Sequence, residues 1–296
     1  MMLYGGVEAG GTKFVCAVGT GPENVKGLEI IPTTTPEETI GRVIAFFNRF
    51  QPQVSALGVG SFGPIDLNPA SSNFGKILNT TKEGWAQTHL IAKIGQTLRV
   101  PIVFDTDVNV AALGEATWGA SQGIRSSVYL TIGTGIGGGV IVNGRPLHGL
   151  LHPEIGHMRL PHDSQHDQFS GICPYHGDCF EGLASGPAVN ARWGIPGESI
   201  PPNHEAWKLE AHYIALGLAN IICTLSPERI ILGGGVMKQT ILFQIIRRDL
   251  QQLLNEYISV KELTDTVDEY VVPPKLRYSG ALGAIALASM ASGSIS

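Results

Sequence analysis

The chain has 296 residues, 43% of them apolar, enough for one large or two medium domains, and its 38 glycines follow no three-residue period, which excludes a collagen-like fibre. A formal charge of -5 with no run of Lys or Arg leaves no electrostatic footprint for nucleic acid or an acidic membrane. Residues 1–6 carry no basic n-region, and the apolar stretches 214–223 and 284–291 are too short to span a bilayer, so a soluble cytoplasmic protein with a small-molecule partner is expected.

Residues 3–18 read as strand, glycine corner and strand. At Gly10-Gly11-Thr12 backbone N–H groups and the Thr12 hydroxyl can face a phosphate, with Lys13 adding charge, although two glycines between strands also make an ordinary hairpin. Glu8, an acid beside a phosphate-sized corner, suits a magnesium ligand, directly or through water. Cys16 and Cys223 lie in apolar runs and are expected as buried thiols. Thr35-Pro36-Glu37-Glu38 opens a helix whose stripe Ile40, Val43, Ile44, Phe46 and Phe47 reads as core. Strand 54–59 ends in the turn-rich loop 60–66, the kind of place where ligands of open α/β sheets bind. Asn79 can hydrogen-bond a polyhydroxyl ligand or sit on an ordinary surface loop. Strand 100–104 runs into Asp105-Thr106-Asp107-Val108-Asn109, ahead of a helix at 110–115. These polar residues are either helix caps or the setting of a general base, because a strand-end carboxylate can take a proton from a hydroxyl during in-line phosphoryl attack.

Residues 127–142 repeat the opening design, with the corner Gly133-Thr134-Gly135 between two apolar strands. One such hairpin in each half predicts duplicated domains that close on one phosphate chain. His152-Pro153-Glu154-Ile155-Gly156-His157 follows, and then Cys173, His176, Cys179 and Glu181. The Cys-x-x-His-x-x-Cys spacing lets three ligands converge, with His157 folding back as the fourth, which is a closed tetrahedral zinc pattern. A Cys173–Cys179 disulfide or a solvated His-rich loop are the alternatives. Such a clamp would hold Glu154 and Glu181 beside each other. A helix starts near Ser185-Gly186-Pro187, and 204–225 has helical periodicity. Strand 228–232 delivers Gly233-Gly234-Gly235-Val236-Met237, where adenine or ribose can lie against backbone, or where the chain merely turns tightly. A polar helix over 242–257, a last strand at 271–272 and a small-residue helix from Gly280 to Met290, suited to packing across a domain seam, complete the chain; residues 292–296 are expected to fray.

With these motifs in place the sequence resembles the ROK family of sugar kinases and transcriptional repressors, most closely its bacterial fructokinase branch. The resemblance covers nearly the whole chain and is carried by the Glu8 to Lys13 loop, Asp105 to Asn109, residues 131–139, and Glu154-Ile155-Gly156-His157 with Cys173, His176 and Cys179. It implies an α/β, actin-like (hexokinase- or Hsp70-like) duplicated ribonuclease H-like fold, with two domains around a central cleft. Their expected extents are 1–115, completed by a C-terminal helix 279–291, and 116–278, carrying a zinc loop at 152–181. The implied reaction is ATP-dependent phosphorylation of D-fructose to fructose 6-phosphate with Asp107 as base. Asn79, Thr106, Asp107, Glu154, His157 and Glu181 would meet the sugar. Gly10, Gly11, Thr12, Lys13, Gly133, Thr134, Gly135 and Gly233, Gly234, Gly235, Val236, Met237 would meet ATP. Glu8 would serve magnesium, while His157, Cys173, His176 and Cys179 would hold structural zinc. A homodimer is common in such kinases. Most members have Asp in place of Glu8, Asn in place of Thr106, and a third Cys in place of His176; the first two departures bear on magnesium geometry and sugar hydroxyl contacts and point away from glucose or N-acylmannosamine. Mannose or glucose as main substrate is the alternative within kinases. A sugar-sensing regulator is the alternative outside them, but those carry an added DNA-binding domain ahead of the first glycine loop, for which this chain shows no helix-turn-helix or basic helix.

Overall fold

The computed structural model describes residues 2–52 and 54–293; of the terminus expected to fray, 294–296 lie outside the described residues. The order of elements is β1 (Leu3–Ala9), β2 (Lys13–Gly19), β3 (Val25–Pro32), α1 (Pro36–Asn48), β4 (Val54–Ser61), α2 (Leu90–Leu98), β5 (Ile102–Thr106) and α3 (Asp107–Trp118). Then come β6 (Ser127–Ile132), β7 (Ile136–Val142), β8 (Arg145–Pro146), α4 (Phe180–Ala184), α5 (Gly186–Trp193), α6 (Ala206–Leu225), β9 (Arg229–Gly233), α7 (Ile241–Leu254), α8 (Lys261–Thr264), α9 (Val267–Tyr270), β10 (Val271–Val272) and α10 (Ser279–Ala291). One sheet has the order β3-β2-β1-β4-β5 and the other β10-β9-β6-β7-β8. Adding five to each strand number of the first and reversing the direction of reading produces the second, so the same topology occurs twice. Both sheets are mixed: β1 is antiparallel to β2 and parallel to β4, and β6 and β10 are each parallel to β9 while β7 is antiparallel to β8.

The chain divides into two compact units, Met1–Gly123 with Gly139–His152 and Lys275–Ser296, and Ile124–Gly138 with Pro153–Pro274. In the first, strand alternation sorts the apolar residues onto two faces. Phe14, Cys16 and Val18 of β2 join Phe46, Phe47, Trp85 and Leu90 under α1 and α2. Val15 and Ala17 join Ala281, Ile285 and Ala288 of α10 on the other face. That helix also packs against α3, closely enough that a Cβ on Gly283 would collide with the Val110 carbonyl, and one on Gly58 with the Ala284 carbonyl. The small-residue helix expected at a domain seam therefore packs on β1, β4 and α3 of the first unit. Its start is tied down by Glu115, fully buried at the end of α3, whose carboxylate accepts from the N–H groups of Ala120, Lys275 and Leu276 and from the Ser279 hydroxyl. Four donors compensate the burial of that charge.

In the second unit β9 pairs with β6 and β10, and α7 packs against α6 and β10; Ile214, Leu218, Ile230, Leu242 and Ile246 are all fully buried. Three expectations are corrected. Cys16 is buried, but Cys223 is exposed, because it stands one residue off the stripe that α6 buries through Ile221 and Ile222. The helix expected from residue 110 begins at Asp107, because the Thr106 hydroxyl accepts from Asn109 N–H and supplies the N-cap. The helix expected to reach 257 stops at Leu254, where Asn255 turns left-handed at φ 46°. Strand β3 escaped the sequence reading, since an edge strand that leaves Leu28 and Ile30 exposed shows no clean polar-out alternation. Among the described residues no helix is long and apolar enough to cross a membrane.

Candidate active site

Asp107 is the first residue of α3, directly after strand β5. It is half-buried and its Oδ1 accepts from Val108 N–H at 2.9 Å. Thr106, 3% exposed, spends its hydroxyl on the helix cap. Asp105 is buried as well, and two side chains reach it: Asn109 Nδ2 at 2.7 Å and His148 Nε2 at 3.0–3.1 Å. His148, on the segment after β8, was invisible to sequence reasoning. Asn79 lies exposed in a loop of the same unit, where it accepts from Gln87 Nε2.

The first glycine corner joins β1 to β2. Gly10 N–H donates to the Lys13 carbonyl, and the Thr33 hydroxyl donates to the Gly10 carbonyl, fixing the corner from the end of β3. Above Gly11 there is open space, and Thr12 and Lys13 are exposed, so this corner presents backbone and a cation to solvent. Glu8 sits just before it. Burial raises its pKa, opposed by the Lys13 charge and by a hydrogen bond from the Ala281 N–H at the start of α10. A single carboxylate of this kind suits magnesium, which takes one or two protein carboxylates and completes its shell with water and phosphate oxygens.

The second corner, between β6 and β7, is backed by helices. The Glu181 carboxylate, in the first turn of α4, accepts from Ile136 N–H at 2.8 Å, and Gly186 N–H donates to the Gly133 carbonyl at 2.7 Å. A cavity of about 730 Å³ opens beside it, lined by Gly133, Thr134, Gly186, Pro187, Gly235 and Val236 among others. The size falls within the roughly 300–1,000 Å³ of small-molecule sites. This places the second corner and part of the Gly233 to Met237 run on one wall. Gly234, at φ +95°, is packed against the Ile132 backbone, and Met237 is buried. The α5 start, marked in sequence by Ser185-Gly186-Pro187, is a further wall that sequence reasoning did not assign to the site. Asn190, Lys238 and Gln239 add polar lining for which no sequence signal stood out.

Glu154 is exposed, while His157 is half-buried at the end of a short helical turn over Ile155–His157. Although solvent reaches the residue, desolvation of its carboxylate raises the Glu154 pKa; the His157 charge opposes the rise and the Glu181 charge adds to it. His157, Cys173, His176 and Cys179 place one ligand atom each within 4.8 Å of the others. Cys173 Sγ lies 3.8 Å from His157 Nδ1 and 3.6 Å from His176 Nδ1, and Cys179 Sγ lies 3.6 Å from His157 Nδ1. Tetrahedral zinc bonds to sulfur and nitrogen imply S···N edges of about 3.6 Å, so the donor set and spacing fit that ion. All four cysteines are free, which removes the disulfide alternative. Burial pushes the Cys179 thiol up to about 11, and Cys173 beside it adds to the rise. The knuckle is closed by paired backbone bonds between Cys173 and Gly177 and by the Arg159–Asp178 ion pair at 2.6 Å.

The model of the ROK family matches residues 4–291. A fructokinase of Lactococcus lactis subsp. cremoris is 45% identical over 280 residues, covering 95% of this chain and 94% of that protein. Among solved structures, a ROK hexokinase of Thermus thermophilus superposes with TM-score 0.80 at 25% identity, covering 99% of both chains. A ROK family glucokinase of Streptomyces griseus, in complex with glucose and AMPPNP, superposes with TM-score 0.77 at 26% identity, covering 97% of this chain and 99% of that one. The duplicated sheet topology is thus that of the actin-like ATPase fold.

Proposed function

The chain belongs to the ROK family, and from that premise we propose that it is an ATP-dependent sugar kinase that phosphorylates D-fructose on its 6-hydroxyl, yielding fructose 6-phosphate and ADP. The observation that carries the reading is the near-full-length 45% identity to a fructokinase, set against 26% to a glucokinase.

In this reading Asp107 accepts the proton of the attacking hydroxyl. Its position at a strand end, with its carboxylate steadied by Val108 N–H, supports that role. The two glycine corners present backbone N–H groups to the phosphates, because phosphoryl transfer depends on positioning and charge stabilisation more than on covalent help. The cavity beside Gly133, Thr134, Gly235 and Val236 suits the nucleoside, with the α5 start as a further wall. Glu8 would hold magnesium, which offsets phosphate charge when bound. Glu154, Glu181, His157, Asn79 and Thr106 are assigned to the sugar, although Glu181 and Thr106 also hold backbone N–H groups. His157, Cys173, His176 and Cys179 would hold zinc as a structural brace, all four positions being filled by protein. A homodimer belongs to the same reading and is measurable by sedimentation.

An ADP-release assay with ATP, magnesium and a panel of hexoses tests the substrate. Fructose should have the highest kcat/KM; mannose or glucose ahead of it would make this a broader hexokinase, and silence toward every hexose would refute the kinase reading.

A further inference from the structure

Asp105, two residues ahead of the candidate base, is 3% exposed. A buried carboxylate persists when donors surround it. Here Thr106 N–H and Asn109 Nδ2 each lie 2.7 Å from Oδ1, and His148 Nε2 lies 3.1 Å from Oδ1 and 3.0 Å from Oδ2. The first two donors belong to the strand-to-helix junction itself. The third comes from 43 residues further along the chain.

The amide of Asn109 must turn its donor nitrogen toward the carboxylate, and that nitrogen lies 3.4 Å from His148 Nε2. With a carboxylate on one side and an amide NH2 on the other, Nε2 carries a proton and donates it to Asp105. The hydrogen bond to Asp105 raises the imidazole pKa and outweighs the opposing effect of partial burial. Between Asp105 and Asn109 stand only Thr106, whose hydroxyl caps α3, Asp107 and Val108. The turn that carries Asp107 is therefore held at Asp105, Thr106 and Asn109, and among the described residues His148 is the one side chain from outside that turn found on Asp105.

We infer that His148 is a positioning residue for the phosphoryl transfer proposed above: by donating to Asp105 it holds the first turn of α3 and so the direction in which Asp107 offers its carboxylate to the substrate hydroxyl. The inference rests on the reading of Asp107 as base. The His148 side chain is 43% exposed, so its replacement leaves the core intact.

The contact is tested apart from catalysis by histidine NMR on the full chain, with His148 assigned through the signal lost in His148→Gln. Its titration should lie above that of an ordinary histidine and fall in Asp105→Asn. A titration indifferent to Asp105→Asn would overturn the contact, whatever sugar is phosphorylated. In turnover, His148→Ala should lower kcat roughly tenfold, as expected for a displaced catalytic group, with KM for sugar and ATP within about twofold. His148→Gln, which keeps an N–H donor, should recover most of that loss, and His148→Ala should add little to Asp105→Asn. Wild-type kcat in His148→Ala, or a change in KM alone, would overturn the positioning role. A wild type silent toward every hexose would overturn it together with the kinase reading, while the titration would still decide the Asp105 contact.

Discussion

The two glycine corners occupy equivalent places in a duplicated topology and yet are built differently. The first, at Gly10 to Lys13, is steadied by Thr33 and by its own backbone bond, and lies open above Gly11. The second is hemmed in: Glu181 holds Ile136 N–H, Gly186 holds Gly133, and a cavity opens along the α5 start. The difference comes from what each half inserts after its third strand. The first half continues to one helix, α1, before β4. The second inserts the histidine- and cysteine-bearing segment with α4 and α5 between β8 and α6. Duplication thus supplies two backbone cradles, and the insertion makes one of them the wall of a ligand-sized cavity.

The sharpest break between the halves is expected at Asp107. Asp107→Asn should lower kcat on the order of 10²- to 10⁴-fold with circular dichroism unchanged, and near-normal turnover would move the base elsewhere. The cluster of His157, Cys173, His176 and Cys179 belongs to the other half. Purified protein should contain one zinc per chain by elemental analysis, and His176→Ala should lose it. Loss of the brace should weaken fructose binding on the order of 10- to 100-fold and ATP binding less; calorimetry showing equal weakening would contradict that division.

The corners themselves are separated by one methyl group each. A Cβ at Gly135 would stand 2.5 Å from Glu181 Oε2, whereas one at Gly11 meets nothing within 4 Å. Gly135→Ala should therefore destabilise by about 1–3 kcal/mol in denaturant melts. Gly11→Ala should stay within about 0.5 kcal/mol, and equal shifts would erase the distinction between the two corners. The effect of His148 on stability should also be small. Its raised pKa means that the folded state holds the proton more tightly, so its contribution is full below the ordinary histidine pKa and disappears as pH rises through the raised value. Because the group is partly exposed, the advantage of wild type over His148→Gln should be below about 1 kcal/mol at pH 5.5 and smaller still at pH 8.5. An advantage that grew with pH would reverse the sign of the coupling.

How much of this was legible beforehand varies with distance along the chain. Gly10 to Thr12 and residues 131–139 announce themselves because a glycine corner between two apolar strands is a local pattern. Cys173, His176 and Cys179 do so because three side chains of metal-binding type share seven residues. Asp107 could be picked out as a strand-end carboxylate, but its place as the first helical residue depended on Thr106 being the cap, which neighbouring caps of similar strength concealed. Edge strand β3 and the exposed Cys223 were misread or missed because burial is decided by what packs alongside.

The sequence by itself determined the repeat, the glycine corners, the Cys-x-x-His-x-x-Cys spacing and the family, since each is written in residues close together or in similarity over the whole length. The tertiary structure alone decided that His148 meets Asp105, that Glu115 anchors the start of α10, and that Glu181 and the α5 start enclose the second corner. Those are contacts between residues tens to more than a hundred and fifty positions apart, and no local propensity records them, because only the packing of the sheets and helices brings such groups within hydrogen-bond reach.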